Sequence, residues 1–91
     1  MKVYTLVGLK QFDGTGKDGR PYTRYDLYFL VDDDHPPKGV VGQTVEVVDC
    51  FQSLLDQCHY YPTVGDRLDL RYGKNWKGQA RLDDIVRLEN D

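Results

Sequence analysis

No apolar run in this chain approaches the length of a membrane span, and Met1 is not followed by a signal-like segment, so a cytoplasmic location is expected. Cysteine is scarce. Cys50 and Cys58 are the only two, and a cytosolic chain keeps its thiols reduced. Their spacing with His59 matches no structural zinc pattern, and buried Cys behaves as a small hydrophobe. The chain offers no P-loop, no Ser-His-Asp arrangement and no credible pair of catalytic carboxylates, so it reads as non-enzymatic, with no cofactor or metal. Repeats, linkers and low-complexity segments are also missing, and 91 residues make a single domain spanning 1–91. Helical periodicity is confined to one short patch.

Basic charge is in deficit as well: 12 Lys and Arg stand against 15 Asp and Glu, a net charge of −3. Polyanion binding draws on Lys and Arg, so this balance opposes it unless the charges are segregated. They are. Acidic residues gather at Asp32-Asp33-Asp34, at Asp83-Asp84 and in the ending Glu89-Asn90-Asp91, which is expected to fray; basic residues gather in 17–24 and 71–81. Tyr is abundant, 7 residues against 3 Phe, and a ring with a polar tip suits half-exposed surfaces.

The alternation of side chains predicts strands. Residues 2–12 form the first, with Gly8 marking a bulge or bend. The Gly-rich loop 13–21 leads into a second strand that ends at Asp32–Asp34. On that strand Tyr25, Leu27, Phe29 and Val31 share an apolar face, while Tyr22, Arg24, Asp26 and Tyr28 share the other. Val40–Phe51 is the third strand, with Val45, Val47 and Phe51 on one face. Leu54, Leu55 and Cys58 form the helical stripe within Phe51–Tyr61, ended by Pro62. A turn at Thr63–Asp66 opens the fourth strand, where Leu68, Leu70 and Tyr72 alternate with Arg67, Asp69 and Arg71. A glycine-bounded loop, Gly73–Gly78, then leads to a fifth strand, Gln79–Leu88. An all-β fold follows, with one short helix between strands three and four. That is the order of a five-stranded OB-fold-like Greek-key barrel, and an SH3-like barrel is the nearest competitor.

Two stretches carry chemistry. Around the second strand, Lys17, Arg20 and Arg24 interleave with Tyr22 and Tyr28, a composition that neutralises phosphates and stacks bases. Tyr and Arg also suit an ordinary exposed strand, so a merely structural surface is the alternative. In the second stretch Trp76 sits at a hairpin tip between Lys74 and Lys77, with Arg71 and Arg81 behind it. A Trp there folds back on its own domain, docks into a partner or stacks on a base.

The segment Gly19-Arg20-Pro21-Tyr22-Thr23, before an alternating strand ending in Val31-Asp32, resembles the DNA-binding loop of the gene V-type single-stranded DNA-binding proteins of filamentous phages. The closing portion is similar too: Tyr61-Pro62, a Gly turn, a strand, an aromatic-tipped Gly hairpin, then Leu82-Asp83-Asp84-Ile85-Val86-Arg87-Leu88. The resemblance implies a small dimeric OB-fold protein of DNA replication, in which Tyr22 stacks on a base and Arg20 meets phosphate. Arg24 would lie in the same strand and Arg87 at a basic position of the last one. Trp76 would occupy the tip of a 71–81 hairpin that forms the dimer and reaches DNA held by the neighbouring subunit. The acidic balance and the helical insertion 52–60 depart from that family and imply a distant phage, plasmid or conjugative-element relative. The expected function is sequence-tolerant binding of single-stranded DNA, RNA being physically close. The rival is an OB-fold protein-interaction module that uses the same aromatic surface.

Overall fold

The computed structural model describes residues 1–88; the expected fraying of Glu89–Asp91 lies outside them. Strands β1 (Lys2–Thr15), β2 (Pro21–Asp33), β3 (Thr44–Phe51), β4 (Arg67–Lys74) and β5 (Ala80–Arg87) form one antiparallel sheet, and helix α1 (Gln52–Gln57) follows β3. The order across the sheet is β3-β2-β1-β4-β5. Among the described residues no ladder joins β3 to β5, so these two strands are the edges of an open sheet. No described helix is long and apolar enough to cross a membrane.

The first hairpin is longer than the sequence suggests, because pairing continues through Thr15 opposite Pro21. Only Gly16–Arg20 remains as loop. It is closed by Gly16 N–H to the Arg20 carbonyl at 2.8 Å and Gly19 N–H to the Gly16 carbonyl at 3.0 Å, with Gly19 at φ +78°. The register slips between Leu6 and Gly8, which confirms the bulge expected at Gly8. Below the bulge β1 also pairs with β4, through Tyr4–Leu68 and Thr5–Arg67.

The core sits at this junction. Tyr4 and Leu6 of β1, Leu27, Phe29 and Val31 of β2, Leu68 and Leu70 of β4, and Ile85 of β5 are buried, and Cys50, Leu55 and Tyr60 complete the cluster. Tyr4 meets Phe29 edge-on, with ring centroids 5.6 Å apart. Full burial of Leu27 or Phe29 contributes roughly 1.5–3 kcal/mol each. The expected apolar face of β2 is therefore the core face. On β3 it is Cys50 and half-buried Val48 that face inward, while Val45, Val47 and Phe51 are exposed.

Helix α1 is shorter than the helical patch read from the sequence. Leu55 is its one buried residue, with Leu54 and Cys58 packed beside it. Its end is set well before Pro62. His59 N–H bonds to the Asp56 carbonyl at 3.2 Å and Tyr60 N–H to the Leu55 carbonyl at 3.0 Å, a Schellman turn with His59 at φ 53°.

No buried residue occurs in 7–26 or in 71–84. Tyr25 and Leu82 still pack against the core, and beyond them the ends of both hairpins are arms that project from it. The Cα radius of gyration of 14.5 Å reflects them, against about 12 Å for a compact chain of this length.

Candidate nucleic-acid interface

The β1–β2–β3 arm presents Tyr22, Arg24 and Tyr28 on one face, as their alternation requires. Register sets what stands beside them. Phe12, Arg24 and Phe51 lie in one row across three strands; Gly14 and Tyr22 form the next row toward the loop. On the other side come Lys10, Asp26 and Asp49, then Gly8, Tyr28 and Val47.

Both tyrosines lie over glycines. A Cβ on Gly14 would stand 2.6 Å from the Tyr22 Oη, and one on Gly8 would stand 3.5 Å from Tyr28 Cδ2. The bare backbone gives each ring its seat. Tyr22 also meets Phe51 edge-on, centroids 5.8 Å apart at 81°, and both remain exposed.

Arg24 lies with its guanidinium carbon 4.7 Å from the centre of the Phe12 ring, and Lys10 Nζ lies 4.9 Å from the same ring. Arg24 Nε is sealed from solvent and, among the described residues, has no hydrogen-bond partner. Among the described residues no carboxylate lies within 4.0 Å of this side chain. Lys10, Phe12 and Phe51 were not among the residues singled out from the sequence. The two-strand register about loop 16–20 would have placed Phe12 opposite Arg24, whereas Phe51 was masked by its valine-rich strand.

The other cations differ in freedom. Lys17 and Lys74 are exposed, and among the described residues neither has a carboxylate within 4.0 Å. Arg20 faces Asp18 at 3.8 Å and Arg81 faces Asp83 at 3.0 Å. Arg87 is taken up by the fold: it bonds Asp66 at 3.1 Å and the Tyr61 carbonyl at 3.4 Å, and its guanidinium lies 5.4 Å from the Tyr60 ring. Asp66 in turn accepts from the Tyr60 hydroxyl at 2.8 Å and from Thr63 N–H at 3.1 Å, so Arg87 pins the turn into β4.

Trp76 is 89% exposed, which removes the fold-back reading of this residue. Lys77 Nζ lies 4.9 Å from its ring. The turn is held by Asn75, whose Oδ1 accepts from Lys77 N–H at 2.9 Å and from Gln79 N–H at 3.0 Å. From the Tyr4–Leu68 pair, β1 runs toward the 16–20 loop and β4, antiparallel to it, toward the 75–79 tip. The two basic-aromatic stretches therefore leave the junction in opposite directions and do not form one patch within the sheet.

Neither thiol is activated. Burial pushes Cys50 up to about 11, with nearby Asp49 adding to the effect, and burial raises Cys58 as well. Among the described residues no three His, Cys, Asp or Glu side chains converge as metal ligands. No family model, characterised protein or solved structure matches the chain.

Proposed function

We propose that this protein binds single-stranded DNA without sequence preference and without catalysis, using the outer face of the β1–β2–β3 arm. One observation carries the reading. Exposed Phe51 beside it and exposed Tyr22 in the next row flank Arg24, a cation held on an aromatic ring with no carboxylate partner among the described residues, on the outer face. Aromatic faces accept any base, at roughly 1–3 kcal/mol each, and Arg supplies the backbone contact. Lys17 in the adjoining loop extends the cationic track, and Trp76 with Lys74 and Lys77 offers a second station on the other hairpin. An OB-fold-like barrel is the architecture we attach to this reading. The strand order and the helix after β3 suit it, and β3, α1 and β5 line one cavity of about 340 Å³, floored by Cys50, Leu54 and Leu82.

The test is fluorescence of Trp76, the only Trp, together with anisotropy of a labelled oligo-dT, at low and then moderate salt. Saturable binding that weakens with salt supports the proposal. Absence of binding at low salt by the folded protein sinks it. A second reading, a protein-interaction module, is favoured by exposed Val45 and Val47 on edge strand β3 and by Trp76 itself. Binding of a protein partner with little salt dependence would select it.

A further inference from the structure

We infer that Phe12 is a positioning residue that holds Arg24 as a phosphate seat, with Lys10 on the same ring, in the middle of the outer face. The inference rests on the nucleic-acid reading above and deepens it by assigning the phosphate contact to one place.

Phe12 is aromatic and stands among stacking rings, yet two cations already lie against it, Arg24 at 4.7 Å and Lys10 at 4.9 Å. A base would have to displace one of them, so Phe12 serves the cations and not the bases. The guanidinium gains from the ring quadrupole and is fixed in orientation. Arg20, Arg71, Arg81 and Arg87 each have a carboxylate within 4.0 Å, and Arg67, which among the described residues has none, is exposed, whereas Arg24 is half-buried. Arg24 instead is desolvated at a sealed Nε that has no partner among the described residues. A buried, unpaired donor of a charged group is destabilising unless something compensates it. An anion at the outward nitrogens leaves Nε–H itself unpaired but offsets the desolvation of the guanidinium charge, and in partly desolvated surroundings a charge-assisted bond is strong.

The neighbours restrict where the anion sits. Asp26 and Asp49 occupy the next row on one side, beside Lys10, and repel a phosphate there. On the other side lie Tyr22, Gly14 and the loop with Lys17. The seat therefore opens toward the stacking rings, which matches an anion that alternates with bases along one strand.

The experiment is an oligo-dT titration over a salt series for the wild type, Arg24→Gln, Phe12→Leu, Phe12→Tyr and Tyr22→Leu, each first shown to be folded by its thermal melt. One phosphate contact to a single strand contributes about 0.7 to the logarithmic salt slope. Arg24→Gln and Phe12→Leu are each expected to flatten the slope by that amount, and the double variant no further. Phe12→Tyr, which keeps the ring, restores it. Tyr22→Leu lowers affinity with the slope unchanged. A wild-type slope in Phe12→Leu, or additivity with Arg24→Gln, overturns the seat while leaving DNA binding intact. Failure of the wild type to bind overturns the underlying reading and the seat together. Inorganic pyrophosphate competing as well as the oligonucleotide at matched ionic strength would overturn the assignment to a nucleic-acid backbone.

Discussion

A methyl group at position 14 would collide with Tyr22, standing 2.6 Å from its Oη and 2.7 Å from Cζ. Gly14→Ala therefore displaces the ring without deleting it. Tyr22→Ala is expected to weaken oligo-dT binding by roughly 5- to 150-fold, the equivalent of one lost stack. Gly14→Ala should give a part of that loss with the melt little changed. An effect under twofold for Tyr22→Ala in a folded protein would remove Tyr22 from the interface. The thiols give a second check on local geometry. The thiolate is the reactive form, and burial holds Cys50 at about 11 while Cys58 is raised but less enclosed. Disulfide-exchange reagents in mildly alkaline buffer should therefore modify Cys58 first and Cys50 only as the protein unfolds. Equal rates at both would mean that β3 and α1 separate readily.

Elements whose pattern is set by burial and turns marked by glycine, at Thr63–Asp66 and Gly73–Gly78, were legible, whereas the inner face of an edge strand and a helix end without glycine were not. Leu27, Phe29 and Val31 alternate because a core lies on one side of β2, and the alternation alone identifies that face. On β3, Val45 and Val47 alternate just as regularly, yet they face solvent on an edge strand. Alternation reports that two faces differ, not which one is inside. The reach of β1 to Thr15 was hidden because Asp13 and Gly14 resemble loop residues; pairing with Tyr22 and Thr23 makes them strand, helped by Thr23 Oγ1 donating to Asp13 at 2.8 Å. The end of α1 was placed at Pro62, but the chain leaves the helix earlier, at a positive φ carried by a residue with a side chain. His59 is exposed there, in a position where Gly avoids a Cβ clash. His59→Gly is expected to raise stability by about 0.5–1 kcal/mol, read as a higher urea midpoint with unchanged slope. A lower midpoint would show that the imidazole itself holds the turn.

At the scale of the whole molecule, the net charge of −3 and the internal ion pairs limit what electrostatics can supply. Arg20, Arg81 and Arg87 would each have to leave a carboxylate to meet a phosphate. Lys17, Arg24, Lys74 and Lys77 have no such carboxylate among the described residues, and four such contacts give a logarithmic salt slope of about −3. A slope near zero would hand the surface to a protein partner. Alkali tests the core that carries both arms. Burial, reinforced by nearby Glu46, raises Tyr4 from 10.0 to about 12. Burial and the hydrogen bond to Asp66 raise Tyr60 as well. The unfolded chain ionises these phenols near their ordinary value, whereas the folded chain keeps them protonated, so unfolding releases protons above that point. The stability they contribute is complete below pH 10 and is lost as pH rises through the window from 10.0 to about 12 set by Tyr4. Urea midpoints should hold steady below that window and fall within it. Phenolate absorbance should rise in two stages, exposed tyrosines first and the buried ones together with unfolding. A single stage with unchanged midpoints would mean that Tyr4 and Tyr60 are open to water, and that the junction of β1 with β4 is not the closed core from which the two arms project.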